Sequence, residues 1–342
     1  IASMKKLAAL IAVVATGTLG SVASAATLDS VRERGFVNCG VGENFAGFFA
    51  PDSAGKWSGL DVDVCRALSA AIFGVADKVK YLPATPATRF AQLQSGQVDL
   101  LSRSVTWTLA RDAGLGLTFS GVTFFDGQGF MVRKALAAKG LKGLDGATVC
   151  TQTGTTTELN LADYFRSHSM KYTPVVFETT DQVVAAYEAQ RCDAYTTDKS
   201  TLAARLGKLK DPGAHVILPE TISKAANGPV VRQGDGQWAN IVRWTVNALV
   251  AAEELGVTSA NVDQMKATSK DPETRRLLGA DGELGKLMGL DNAWAFNAIK
   301  AVGNYGEIYE RNLGPKGAVA IPRDGLNRLW SKGGLMFSPS FQ

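Results

Sequence analysis

The chain has 342 residues, with 36 basic and 32 acidic side chains, a net charge of +4 and 46% hydrophobic residues. So even a balance, spread along the whole sequence, excludes the strongly basic faces that nucleic acid or an anionic membrane surface calls for. The length exceeds the usual size of a single core, so two lobes are expected.

Met4-Lys5-Lys6 is a positively charged start, and residues 7–14 are an apolar run too short to span a bilayer. Ala23-Ser24-Ala25 has the small-x-small form of a signal-peptidase site. Residues 4–25 are therefore expected to be an export signal cleaved after Ala25. No later segment reads as a membrane span, so direct membrane insertion is not expected. Four cysteines remain: Cys39, Cys65, Cys150 and Cys192. None forms a CxxC pair, and neither His168 nor His215 lies near one, so neither a metal site nor a cofactor is expected. An even count in an exported chain favours disulfides. Of the three connectivities, Cys39–Cys65 with Cys150–Cys192 is preferred, because each bridge staples one lobe locally. A bridge between lobes would lock parts that have to move.

The elements alternate. Residues 36–41 read as a strand and 61–73 as a helix with Val64, Cys65, Leu68, Ala71 and Ile72 along one face. A strand at 79–82 follows, then a helix capped by Thr85, with Pro86 at its first position and its end at Gly96. Val98 to Leu101 is the next strand. The second half repeats the scheme: strand 147–151, helix 156–167, strand 173–177, helix 182–191, strand 193–197. Such alternation implies βαβ units and a parallel sheet in each half. The β-prone stretch 118–132 is placed to carry the chain from one lobe to the other, and residues 228–232 to bring it back. An amphipathic helix is expected over 238–252. The tail from about 270, with helical pieces at 274–278 and 292–302, is expected to pack on the first lobe. The lobes divide as 26–123, 124–228, and 229–342 as the return plus a C-terminal extension.

Three motifs carry chemistry. After the strand ending at Leu101, Ser102, Ser104, Thr106 and Thr108 crowd a loop before Arg111. A guanidinium grips a carboxylate with two parallel hydrogen bonds, and neighbouring hydroxyls complete the shell. The alternative is an ordinary solvated arginine. Thr153-Gly154-Thr155-Thr156-Thr157-Glu158 joins a strand to a helix. Thr155 and Glu158 have capping-box spacing, and the helix start offers free N–H groups to an anion. The alternative is a plain helix cap. Asp198 closes the strand in Cys192-Asp193-Ala194-Tyr195-Thr196-Thr197-Asp198, at the sheet edge where ligands bind. The alternative is an N-cap for the helix beginning near Ser200. An arginine fork, a helix start and a carboxylate together complement a zwitterion, such as a free α-amino acid.

The chain resembles the polar amino-acid solute-binding proteins of ABC importers, closest to their general L-amino-acid-binding branch. The resemblance rests on Trp57-Ser58-Gly59-Leu60-Asp61-Val62-Asp63-Val64, on Arg89 to Leu100, and on the three motifs above, and covers about residues 30–265. It implies an α/β, two-lobed periplasmic binding protein fold of type II. Two parallel or mixed sheets, flanked by helices, would be joined by a two-strand hinge. It implies a periplasmic, monomeric receptor whose partners are a free L-amino acid and an inner-membrane ABC permease. Broad specificity over glutamate, glutamine, aspartate and asparagine is expected. By the resemblance Arg111 binds the carboxylate, Ser104 and Thr106 flank it, and Thr155 and Thr156 approach from the second lobe. Asp198 takes the amino group, and Phe45, or Phe48 nearby, covers the ligand side chain. The loop before Arg111, which contains Trp107, is about two residues longer than is common, and the tail is longer too. Glu43, Arg89 and Trp107 are further candidates for reading the ligand side chain, with Arg89 read as helix structure. No Ser/His/Asp, Cys/His or metal constellation points to an enzyme. The alternatives are an exported dehydratase-like enzyme on the same fold and a ligand-sensing subunit.

Overall fold

The computed structural model describes residues 26–137, 140–323 and 325–342. The expected export signal lies outside them. Thirteen strands are present among the described residues: β1 (Val37–Val41), β2 (Ala50–Pro51), β3 (Trp57–Ser58), β4 (Val79–Pro83), β5 (Leu100–Thr106), β6 (Leu117–Phe119), β7 (Phe124–Asp126), β8 (Gln128–Arg133), β9 (Ala147–Gln152), β10 (Tyr172–Phe177), β11 (Ala194–Asp198), β12 (His215–Ile217) and β13 (Ala225–Arg232).

They form two separate mixed sheets and a small β2–β3 hairpin. The first sheet runs β4-β1-β5-β13-β6, with β7 also on β13. The second runs β10-β9-β11-β8-β12. In the first, β1 pairs in parallel with β4 and β5, and β13 returns antiparallel to β5, β6 and β7. In the second, β9 is parallel to β10 and β11, while β8 lies antiparallel to β11 and β12. The chain leaves the first sheet between β7 and β8 and comes back between β12 and β13. Two connections, one from each direction, therefore link the lobes. This is the type II binding-protein architecture.

Each sheet is sandwiched by helices whose apolar faces reflect the sequence periodicity. The helix Leu60–Phe73 buries Val64, Cys65, Leu68 and Ala71, and Gly74 in the left-handed region (φ 76°) ends it. The first-lobe core joins Cys39 and Leu68 to Trp238, Ile241 and Leu249 of the helix Gly236–Glu254. It also takes in Leu277, Trp294, Ile299 and Tyr309 from the C-terminal tail. The tail therefore completes the first lobe's core. In the second lobe, period-two alternation along β8 sends Phe130 and Val132 to one core and Met131 to the other. Disulfides join Cys39 to Cys65 and Cys150 to Cys192, one inside each lobe.

The return between lobes, expected at 228–232, falls earlier, between Ile217 and Ala225, because 228–232 pair with β5 and β6 inside the first sheet; two further expected elements differ from the structure, and both border the cleft. The strand expected to stop at Leu101 continues to Thr106, because β13 pairs along it from Leu101 to Thr106 and supplies the hydrogen bonds of a strand. Ser102, Ser104 and Thr106 are therefore strand residues and not a hydroxyl loop. The helix expected to start at Pro86 begins at Arg89 instead. Thr85 does not cap it: its hydroxyl meets Thr88 and donates to Glu178 of the second lobe at 3.3 Å.

Candidate functional site

A cleft with a cavity volume of about 100 Å³ opens between the two sheets. From the first lobe it takes Glu43, Asn44, Phe45, Phe49, Pro86, Arg89, Arg103 and Ser104. From the second it takes Gln152, Thr155, Thr180, Asp181, Thr197, Asp198, Thr201 and Arg205. The lobes meet across it. Arg205 Nη2 donates to the Asn44 carbonyl at 2.6 Å and also pairs with Asp181 at 3.0 Å. Arg89 Nη2 reaches the Gly154 carbonyl at 3.4 Å. Gly154 has φ +73°, and a Cβ there would stand 3.0 Å from Ala87 Cα, so the glycine permits the close approach of one lobe's backbone to the other.

The first-lobe wall is built on β5. Ser104 adopts φ +55°, a left-handed backbone unusual for a serine, and its hydroxyl donates to Asp61 Oδ2 at 2.8 Å. One turn of strand earlier, Ser102 donates to the Asp61 carbonyl at 2.8 Å. The start of the Leu60–Phe73 helix is thus tied to β5. Burial pushes the Asp61 carboxyl up to about 7, although the Ser104 bond and the Arg103 charge pull against it. The ring of Phe45 stacks on Phe48 with centroids 4.3 Å apart and meets Phe49 edge-on at 5.5 Å.

Three arginines gather here. Arg89, Arg103 and Arg111 are 5%, 6% and 9% exposed, and none makes an ion pair among the described residues. Their hydrogen bonds go to carbonyls: Arg103 to Ala84, Arg111 to Thr106 at 2.9 Å, Arg89 to Gly154. The guanidiniums of Arg89 and Arg111 lie over the Phe90 ring at 4.7 and 5.3 Å. Burial pushes Arg103 and Arg111 down to about 10 and lowers Arg89 well below its ordinary value, with the neighbouring arginines adding to the effect on Arg89.

The second-lobe wall carries the opposite charge. Asp198 ends β11 and precedes the helix Lys199–Leu206, yet its side chain makes no capping hydrogen bond. It is half-buried on the cleft wall and raised well above the usual carboxylate range, by desolvation first and by the Asp126 charge second. Arg111 and Arg89 oppose that rise. Asp126 accepts from the Ser200 hydroxyl. Gln128 is fully buried opposite Asp198 in the strand register, and its amide donates to Thr196 Oγ1 and the Thr157 carbonyl at 2.9 Å each. That side chain fixes the Asp198 strand relative to the helix Thr156–Ser167.

The structure brings Phe45, Ser104, Thr155 and Asp198 together on the cleft wall. Four other predicted site residues stand off it. Arg111 lies behind, held by the Thr106 carbonyl but within reach of the Asp198 charge. Thr106 is the buried strand residue that holds it. Phe48 is 1% exposed, edge-on to Phe124 at 5.1 Å, a core residue that supports Phe45 from below. Thr156 opens its helix one residue beyond the wall. Thr155 does cap that helix, accepting from the Glu158 N–H at 3.2 Å, but Glu158 returns its bond to the Gly154 N–H rather than to Thr155. Trp107 points away from the cleft: its ring stacks on Phe119 at 5.4 Å, and its indole N–H donates to Asp112 at 3.0 Å. Arg89, read as helix structure, lines the cleft together with Glu43. Arg103, Asp61 and Arg205 were not anticipated. Arg103 was hidden because β5 was taken to end at Leu101. Arg205 sits in a helix whose sequence carries no sign of what it meets across the cleft. Among the described residues no group of three His, Cys, Asp or Glu could hold a metal ion, and no helix is long and apolar enough to cross a membrane.

A two-lobed α/β protein with a polar cleft between its sheets is a solute-binding protein in architecture. Residues 37–261 match the family of bacterial extracellular solute-binding proteins, family 3, and the chain belongs to that family. It is 53% identical over 337 residues to the general L-amino acid-binding periplasmic protein AapJ of Rhizobium johnstonii, covering 98% of both chains. It is 50% identical over 339 residues to the glutamate/glutamine/aspartate/asparagine-binding protein BztA of Rhodobacter capsulatus, covering 99% of this chain and 100% of that one. A solved periplasmic binding protein of an ABC transporter from Brucella ovis, with glutathione bound, superposes with a TM-score of 0.90. It is 51% identical, and the match covers 93% of this chain and 100% of that one.

Proposed function

We propose that the protein is a periplasmic receptor that closes its two lobes on a free L-amino acid and delivers it to an inner-membrane ABC permease. The observation that carries this reading is the Asp198 carboxylate. It stands on the cleft wall, accepts no hydrogen bond from a described residue, does not cap its own helix, and faces a group of buried guanidiniums. A carboxylate left without a donor in a desolvated cleft is stabilised by an incoming ammonium group. The ligand carboxylate goes to the arginine side. Ser104 takes it from the wall of the first lobe with the Arg111 charge behind it, positioned by Thr106, Thr155 approaches from the second lobe with Thr156 beside it, and Phe45 covers the side chain. The lobe boundaries lie a few residues inside the expected ones: Phe124–Asp126 and Ala225–Arg232 belong to the first lobe's sheet, so the second lobe runs between Asp126 and Ala225. The names of the relatives support polar amino acids as ligands, glutamate, glutamine, aspartate and asparagine among them. The protein works as a monomer and catalyses no reaction. It acts through the closed–open equilibrium, which a ligand shifts only by binding the closed form better.

Calorimetric titration with amino acids tests this. Asp198→Asn is expected to weaken amino acids by about 100-fold or more, as removal of one partner of a desolvated charge pair does. The same variant should leave carboxylic acids of equal length without the amine within about threefold. Equal losses for both classes would overturn the assignment of Asp198.

A further inference from the structure

The C-terminal extension reaches the point where the chain leaves the first lobe. β7 pairs with β13 on one edge and with no other strand among the described residues. On its free edge stands Asn327, a buried residue of the extension. Asn327 Oδ1 accepts from the Phe125 N–H at 2.7 Å, and its Nδ2 donates to the Phe125 carbonyl at 2.8 Å. A neighbouring antiparallel strand makes the same two bonds to one residue. Asn327 is itself held, because its carbonyl accepts from Arg323 Nε at 3.0 Å. Arg323 grips Glu253 of the helix Gly236–Glu254 with both terminal nitrogens and lies over the Tyr305 ring at 4.9 Å. Tyr305 donates its hydroxyl to the Thr123 carbonyl at 2.6 Å. The extension thus fixes the last segment of chain before the lobes part.

The second lobe takes over at once, since only Gly127 separates β7 from β8. The Gly127 carbonyl accepts from the Lys199 N–H at 2.9 Å. Gln128 bonds the return connection, through Ser223 Oγ at 3.1 Å and the Ile222 N–H at 3.0 Å. A Cβ on Gly127 would stand 2.4 Å from Thr221 Cγ2, so the outward and return connections pass in contact there. The first lobe therefore holds the chain up to Phe125 and the second from Gly127. Lobe rotation on this connection falls on the backbone between them. β7 is only 3 residues long, and a strand so short with one partner frays readily. Each residue that came loose would lengthen the pivot and add open geometries from which the cleft cannot close.

We infer that the C-terminal extension is part of the hinge: through Asn327 it holds Phe125 to the first lobe, confines the pivot, and keeps the open protein in geometries competent to close on ligand. This rests on the receptor reading, but not on which residues touch the ligand. Asn327 is a positioning residue, and its loss lowers the competent fraction of the open form while leaving the closed form as it is. The seam at Arg205 and Asn44 acts in the opposite way, on the closed form.

The test is stopped-flow binding of L-glutamine and L-glutamate to the protein and to Asn327→Ala, with the unfolding midpoint of each measured alongside. Asn327→Ala is expected to lower the association rate constant by about threefold or more, by one factor for both amino acids, with dissociation changed by less than about twofold. A merely structural role would lower the midpoint and leave the rate constants of the folded protein unchanged. A loss carried by dissociation, unequal factors for the two amino acids, or no change in either rate overturns the inference. Arg323→Lys keeps a charge on Glu253 but gives up the Nε bond to the Asn327 carbonyl. It is expected to show the same split at smaller size and carries the test if Asn327→Ala does not fold. Small-angle scattering of the ligand-free proteins is expected to give Asn327→Ala the larger radius of gyration. If the unmodified protein binds neither amino acid, the receptor reading has failed, and the scattering still decides the hinge: an unchanged radius overturns the inference.

Discussion

The two walls of the cleft are made from the same materials in opposite senses. The first-lobe wall presents guanidiniums and stacked rings on and beside β5. The second-lobe wall presents a carboxylate, hydroxyls and the start of the helix Thr156–Ser167 around β9 and β11. The first is held rigid from behind, by Asp61 on Ser102 and Ser104, by Phe48 under Phe45 and by the Thr106 carbonyl under Arg111. The second is held by Gln128 and by the Asp126–Ser200 bond near the point where the chain passes between lobes. The difference implies an order of events. On the proposed receptor reading, the cation-rich wall would draw the ligand carboxylate first, at long range, and the anionic wall would complete the site only on closure, when its desolvated carboxylate meets the ammonium.

The largest effect that would break this comparison is on the cationic side. Arg111→Ala is expected to abolish measurable amino-acid binding, a loss of about 100-fold or more. The fold should be nearly unchanged, since the side chain contributes one hydrogen bond to Thr106, worth about 1 kcal/mol. Undiminished affinity with a native unfolding profile would remove Arg111 from the site.

The next effect belongs to the anionic wall. In the empty protein burial and Asp126 raise the Asp198 carboxyl, so it retains its proton into the neutral range, whereas an ammonium ligand needs it ionised. Amino-acid affinity is therefore expected to be greatest above about pH 8 and to fall by up to about tenfold per unit as the pH drops toward 6. Binding at neutral pH should release a proton, visible as a buffer-dependent heat. A pH profile that is unchanged in Asp198→Asn would place the titration elsewhere.

The smallest effect is at the seam. Arg205→Ala removes the donor to the Asn44 carbonyl and the pair with Asp181. It should weaken every ligand alike by about three- to tenfold, through a less favourable closed state rather than through ligand contacts. A ligand-selective loss would make Arg205 a contact residue instead.

The fold was largely legible because its signals are local. Val37–Val41, Tyr172–Phe177 and Ala194–Asp198 announce themselves as short β-prone runs between helical stretches, and Leu60–Phe73 and Gly236–Glu254 by the helical spacing of their buried residues. The cysteine pairing followed from the need to keep each staple within one lobe. The site was legible in part. Asp198, Thr155, Ser104 and Phe45 all stand on the cleft wall, and each is marked in the sequence by a strand end, a helix start or a neighbouring motif. Arg103 was missed, since only the pairing of β13 along β5 extends that strand and carries Arg103 to the wall. Phe48 and Trp107 stand off the cleft wall, because adjacency in sequence does not say which ring faces the cleft and which packs on Phe124 or Phe119.

By itself the sequence determined the alternation of elements, the doubling into two halves, the absence of a long apolar helix among the described residues and the charged groups available for a zwitterion. These depend on periodicity and residue type, which act over a few positions. Only the tertiary structure decided which of those charges lie unpaired in the cleft, that Asp198 does not cap its own helix, that Gly154 marks a contact between lobes, and that Arg205 reaches across to Asn44. Those facts depend on groups as many as 161 residues apart in the chain sharing one desolvated space, and burial and mutual charge are properties of that space rather than of any segment.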